Sequence, residues 1–309
     1  MVSSRGTLLR MGALALVWGS SFLWIKLALR GLDPVQITAT RCTLGALVVL
    51  GLCLSARYRL PRSPGLWARM VVVAFFGSAL PFTLFGIGER TVDSGVAGVL
   101  NATTPLWALL IGIVLRSERD LRPVRLGGLL LGFAGTTLIF APWQQAGLAS
   151  WGSLIILAGA ASYAVSYAYV GRLMTGSGTA PLALSATQLV ISTTMAALVL
   201  PVGGLDAVHL SPAVLISVGI LGVFGTGVAF AINYRLIADE GPTNATTVGY
   251  LLPVVSVLLG AAFLGEGLNL RVIAGMVVVL VGVGMTRWRK KAPSPVLAED
   301  TTGALAGTR

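Results

Sequence analysis

Ten apolar runs follow one another along the chain, each bounded by charged residues, Pro or Gly. They predict helices at approximately Met11 to Leu29, Val35 to Leu54, Leu66 to Gly88, Ser94 to Leu115 and Val124 to Phe140. The second set is Trp151 to Val170, Pro181 to Leu200, Pro212 to Ile237, Thr243 to Leu264 and Leu270 to Thr286. A run of about 20 such residues rises about 30 Å as a helix, the thickness of a hydrocarbon core. Arg5 and Arg10 resemble the charged start of a signal peptide. The first run is too long for one, and Lys26 and Arg30 follow it where a small-residue cleavage motif would stand. It reads as a retained helix.

Composition narrows the class. Of 309 residues, 55% are hydrophobic and 11% charged, with a mean hydropathy of +0.87. A soluble domain carries about 25% charged residues, so this chain cannot make a water-facing surface. Soluble enzyme, DNA-binding protein and secreted disulfide scaffold are excluded. The net charge of +11 would suggest nucleic acid in a soluble chain; here it follows from loop arginines that hold topology. With the N-terminus in the cytoplasm, 17 Lys and Arg fall on that side and three (Arg30, Arg90, Arg271) on the other. That bias predicts a multi-pass protein of the plasma (inner) membrane with both termini cytoplasmic, and no nucleic-acid partner. Cys42 and Cys53 lie about 16 Å apart on one helix, beyond disulfide reach, and read as packing residues. No Cys/His cluster offers a metal site, and no cofactor is expected.

Shifting the chain against itself by 148 residues, without a gap, reveals an internal repeat. Phe76 and Gly77 meet Phe224 and Gly225, Phe82 meets Phe230, Pro105 meets Pro253, Glu118 meets Glu266 and Gly127 meets Gly275. Five helices per copy is an odd number, so the second copy enters the membrane from the opposite face. The expected fold is an all-α integral membrane protein of ten transmembrane helices, arranged as two inverted five-helix repeats. The copies occupy residues 1–145 and 146–288, and residues 289–309, rich in Ala, Thr, Pro and Gly, read as a disordered cytoplasmic tail. Inverted halves suit alternating access, because exchanging their conformations converts an inward-open state into an outward-open one.

The run from Leu16 to Lys26 (LVWGSSFLWIK), Asp33-Pro34 followed by Arg41, and the ordered set Pro105, Glu118, Gly127 resemble the EamA repeat. So does the second set, Pro253, Glu266, Gly275. The resemblance covers about residues 8 to 288. It implies the drug/metabolite transporter superfamily, whose ten-helix members are two such repeats, and it implies export. The second repeat departs from the pattern, with Ser162-Tyr163-Ala164 where Trp18-Gly19-Ser20 stands in the first. The two halves are therefore expected to line a cavity unequally.

Several residues could carry chemistry. Trp18 and Ser21 share a helical face with Ile25 and read as a substrate-facing wall or as packing beside Gly19. Lys26 and Arg41 are the basic residues inside the runs, where a charge is a functional-site hypothesis. Lys26 is near enough to its helix end to snorkel. Arg41, about 10 Å into its helix, could pair with a substrate carboxylate, pair with an acidic side chain, or tie down loop carbonyls. In the fourth run Asn101, Thr104 and Pro105 share a face, and Pro105 frees a carbonyl one turn earlier. Thr246, Thr247, Gly249, Tyr250 and Pro253 form the equivalent stretch, and paired helix breaks point to a midplane site. Tyr163, Tyr167, Asn233 and Tyr234 could contact a ligand or bridge helices; Phe82 and Phe230 could gate or pack. Glu118 and Glu266, each before a helix start, read as structural caps. Glu89, Asp93, Asp239 and Glu240 read as solvated span ends, and His209 as a surface residue.

These residues predict a secondary active transporter that moves a small metabolite, an amino acid or similar amphipathic compound, with uptake as the alternative to export. Its partners are the small-molecule substrate and the lipid bilayer; if transport is proton-coupled, Glu89 is the candidate relay. Oligomeric state is not legible. No phosphate-binding G-x-x-x-x-G-K-[ST] loop occurs, which argues against ATP-driven transport. An intramembrane enzyme would need a Ser–His pair, an H-E-x-x-H pair or clustered acids at depth, and the runs lack them. A channel would need a ring of repeated polar residues.

Overall fold

The computed structural model describes residues 4–92, 94–116, 121–144, 150–264 and 270–286, and all regular structure within them is helical. The first half runs as α1 (Ser4–Gly19), α2 (Ser21–Ala28), α3 (Pro34–Ser55), α4 (Pro64–Ala74), α5 (Leu80–Gly88), α6 (Ser94–Asn101), α7 (Thr104–Val114) and α8 (Pro123–Phe140). The second comprises α9 (Trp151–Gly176), α10 (Pro181–Gly203), α11 (Pro212–Gly222), α12 (Ala229–Glu240), α13 (Pro242–Thr246), α14 (Val248–Leu264) and α15 (Leu270–Thr286). Two short π-helical segments, Phe75–Ala79 and Val223–Val228, join α4 to α5 and α11 to α12.

Local chemistry sets the starts. Pro occupies the first turn of α3, α4, α8, α10 and α11, where its missing N–H costs nothing. Asp33 caps α3 by accepting from the N–H groups of Val35 and Gln36, while Gln36 Oε1 accepts from Asp33 N. This is a reciprocal capping box. Gln36 also donates to the carbonyls of Gly204 and Asp206, at 3.0 and 2.8 Å, tying that helix start to the chain after α10.

Every predicted apolar run falls on helix, but not as ten unbroken rods. The first is divided at Ser20, the fourth at Ala102–Thr103 and the ninth at Thr247, and the third and eighth pass through the π segments. Helix α1 starts at Ser4 rather than Met11, and α9 extends to Gly176 rather than Val170. Apolar periodicity marks only the part of a helix facing hydrocarbon, so polar turns beyond it leave no such signal. Seven helical stretches among the described residues are long and apolar enough to cross a membrane, and Pro123–Ile139 and Leu270–Thr286 are shorter apolar helices. Glu118, Glu266, Asp93 and the tail from 287 to 309 lie outside the described residues. Cys42 and Cys53 are free, buried and part of the main apolar core.

Helices α8 and α15 pack along their length by bringing backbones together at glycines. A Cβ at Gly128 would stand 2.7 Å from the carbonyl oxygen of Gly282, and one at Gly282 would stand 2.7 Å from that of Gly128. Two turns further along α8, a Cβ at Gly135 would meet Val279 N at 2.7 Å. Between apolar helices in lipid, close packing replaces the hydrophobic drive available in water. Gly282→Ile should therefore force α8 and α15 apart and cost about 1–3 kcal/mol or more. Thermal unfolding of the detergent-purified protein checks it, with a lowered midpoint expected.

Candidate functional site

A π turn spreads the helix and leaves carbonyls around it short of their usual partners. Phe75–Ala79 and Val223–Val228 begin 148 residues apart, the offset of the sequence repeat. Each is served by donors from the other half of the chain. Trp18 Nε1 donates to Gly225 O at 3.1 Å, and Ser162 Oγ donates to Phe76 O at 2.7 Å. These donors head the two unlike triplets, Trp18-Gly19-Ser20 and Ser162-Tyr163-Ala164. Ser166 and Ser192 add bonds to Val73 O and Ala74 O, at 3.2 and 3.3 Å.

A second matched pair lies on the central helices α3 and α10. Arg41 and Gln188 each stand seven residues beyond the proline that opens their helix, Pro34 and Pro181. Arg41 Nε donates to Thr226 Oγ1 at 3.1 Å, and Gln188 Nε2 donates to Ser78 Oγ at 2.6 Å. Thr226 and Ser78 are themselves 148 residues apart, one in each π segment. The geometry repeats while the charge does not, so the expected inequality of the halves is chemical. Gln188 Oε1 also accepts from the Tyr234 hydroxyl.

Between these elements lies a cavity of about 100 Å³. Its walls carry Trp18, Ser21, Arg41, Phe82, Asn101 and Thr104 from the first half, with Tyr163, Tyr167 and Asn233 from the second. These nine residues, all singled out from sequence, thus share one space. Phe82 and Phe230, equivalent in the repeat, meet edge-to-face at 6.1 Å between centroids. The Arg41 guanidinium carbon stands 3.6 Å from the Phe82 centroid, a cation–π contact. Among the described residues no carboxylate pairs with Arg41. Tyr167 donates to Asn233 Oδ1 at 3.0 Å, and Thr104 Oγ1 donates weakly to Asn101 Oδ1 and Ala160 O, each at 3.4 Å.

Three expectations need correction. Tyr250 is buried outside the cavity, with its ring against Gly132 of α8 and its hydroxyl without a partner. The break at Thr247 brings Thr246, Gly249 and Leu252 to the cavity instead. The paired helix breaks are also unlike. Pro105 opens α7 just past the division at Ala102–Thr103, whereas Pro253 lies inside α14, six residues after the division at Thr247. A proline still denies a bond to the carbonyl four residues earlier, and those positions, Asn101 and Gly249, both line the cavity. Lys26, half-buried in the last turn of α2, reaches the span end, where its ammonium donates to Glu89 O and Val92 O at 2.7 and 3.1 Å. Of the span-end acids, Glu89 is fully buried, and Asp239 pairs with Arg10 and, at 3.2 Å, with Arg235. His209 is exposed, as expected.

Gln188, Phe22, Phe85 and Ser166 also line the cavity and were not singled out from sequence. Only the spacing of Gln188 from Pro181, matching that of Arg41 from Pro34, could have marked it.

The EamA-like transporter family matches residues 6–141 and again 150–288. The chain belongs to that family. An Escherichia coli K12 relative named "Uncharacterized inner membrane transporter YedA" is 29% identical over 268 residues, covering 83% of this chain and 82% of that protein. The "Uncharacterized transporter YdfC" of Bacillus subtilis is 27% identical, covering 87% of each chain. A solved structure titled "Crystal structure of protein" shares the fold at a TM-score of 0.74 and 21% identity, over 92% of this chain and 98% of that one. This EamA-family chain is accordingly a multi-pass membrane transporter, and the two family matches coincide with the halves that exchange hydrogen bonds across the cavity.

The matched pair gives a graded test. Thr226→Val removes the acceptor of a charged donor and should cost about 1.5–3 kcal/mol, while Ser78→Ala removes a neutral acceptor and should cost about 0.5–1.5 kcal/mol. Thermal unfolding in detergent should rank the two in that order.

Proposed function

We propose that this chain is a secondary carrier of ten transmembrane helices in two inverted five-helix repeats. It exports a small carboxylate-bearing amphipathic metabolite, such as an amino acid, by alternating access. The observation that carries the reading is the Arg41 guanidinium, in the wall of a cavity between the halves with no carboxylate partner among the described residues. A buried cation in such a place is matched by an anion that comes and goes. A substrate carboxylate accepts from Arg41, the rings of Trp18, Phe82 and Tyr163 take its apolar part, and Asn101 and Asn233 orient its remaining polar group.

Two sets of contacts lie toward opposite ends of the helices that wall the cavity. With the N-terminus in the cytoplasm, Arg10 with Asp239 and Thr7 with Glu240 (3.1 Å) join α1 to α12 at the inner end. At the outer end Lys26 holds the carbonyls of Glu89 and Val92, and His209 N donates to Gly31 O at 2.9 Å. Alternating access requires that these sets break in turn. Family resemblance supports export as the direction.

The test is expression at controlled level in a bacterial host, with profiling of the medium for small metabolites. Wild-type cells should accumulate one class of carboxylate-bearing compound outside, several-fold above cells carrying Asn101→Leu. That variant should express and melt near wild type, because Asn101 lines the cavity and its bond from Thr104, three residues on, is weak at 3.4 Å. Equal media from the two strains would overturn export, and loss of folded Asn101→Leu protein would make Asn101 a structural residue.

A further inference from the structure

Glu89 is the residue that the carrier reading leaves unused. It follows the last turn of α5, its N–H donating to Phe85 O at 2.9 Å. The residue is 0% exposed, and neither carboxyl oxygen has a hydrogen-bond partner. The helix dipole makes the position worse for a negative charge, since a C-terminus carries partial negative charge of its own. Yet Glu89 borders the cavity region. Phe85, one turn before it, lines the cavity, as does Ile25 next to Lys26.

The charged groups around it are few. From α2, Lys26 directs two of its three donors to the backbone carbonyls of Glu89 and Val92 rather than to the carboxylate. From α3, Arg41 acts at longer range, engaged with Thr226 and Phe82. Helix α9 meets this end of α5 with Gly152 and Ile156, which carry no charge. Arg90, next in sequence, is exposed and lies 3.9 Å from Asp206; Asp93 is outside the described residues. Burial is the largest influence on the Glu89 carboxyl and holds it well above the ordinary carboxylate range, with Lys26 and Arg41 opposing.

We propose that Glu89 is a proton-binding site, and that shutting the outer end of the carrier takes up one proton there. The proposal rests on the alternating-access reading. With the outer end open, water reaches the site and solvates a carboxylate. As α2 docks against the end of α5, which is itself packed on α9, a hydronium ion from the outer water gives its proton to that carboxylate, leaving a carboxylic acid and a water molecule. The acid buries without a partner at far smaller cost than the anion. Proton binding and closure are then linked and reciprocal: acidifying the outer face favours the shut state, and opening releases the proton.

The test uses the full chain in detergent micelles and needs no substrate. Infrared difference spectra across a pH series should show a protonated carboxyl band that persists above the ordinary carboxylate range and is absent in Glu89→Gln, which has the acid's shape without its proton. A raised folded-state proton affinity gives stability that is present at low pH and lost as pH rises through the raised value. The wild-type unfolding midpoint should fall over that interval and the Glu89→Gln midpoint should not. Spin labels on Arg30→Cys at the end of α2 and Trp151→Cys at the start of α9 report closure. Raising pH through the same interval should add a longer distance in the wild-type background and leave the Glu89→Gln background at the short one. Absence of the Glu89-dependent band, or distances that ignore pH, or that respond equally in Glu89→Gln, would overturn the proposal. Failure here leaves export to be decided by the medium profile, and failure of that profile leaves these readouts interpretable.

Discussion

A backbone carbonyl inside lipid has to find its partner within the protein, because there is no water to supply one. The two π segments concentrate that constraint at the centre of this molecule. By spreading their helices at Phe75–Ala79 and Val223–Val228 they expose backbone acceptors, and the groups that satisfy them come from the opposite half. Trp18 and Ser162 are therefore structural first: each ties one repeat to the other. The cavity lies between the elements that these crossed bonds join.

Symmetry of geometry with asymmetry of charge gives the cavity its chemistry. Arg41 and Gln188 occupy matched places and reach matched hydroxyls, Thr226 and Ser78. One brings a full positive charge and the other a neutral amide that is already shared with Tyr234. Among the described residues no acid neutralises that charge at contact distance. A ligand carboxylate at Arg41 and a proton at Glu89 are the two species we propose for this arrangement.

Much of the site was legible in residue order, for a plain reason. Polar side chains inside apolar runs are costly, so Trp18, Arg41, Asn101, Tyr167 and Asn233 stand out against their surroundings, and all of them reach the cavity. Other residues gave no such contrast or gave a false one. Tyr250 has the right type and depth, but the division at Thr247 and the slot opened by Gly132 turn it toward α8. Glu89 sits where a run ends, a position that ordinarily means water; Lys26, reaching back to its carbonyl, and the close packing of α9 against Gly88 bury it instead.

The sequence by itself determined the class of molecule, its helical runs, its duplication and the set of intramembrane polar residues, because each follows from composition, spacing or self-similarity along one dimension. Tertiary structure decided where the helices break, which of two matched donors meets which carbonyl, and whether an acid at a helix end meets water or protein. Those outcomes depend on contacts between residues more than a hundred positions apart, such as Trp18 with Gly225 and Gln188 with Ser78. Periodicity within a single helix carries no information about them.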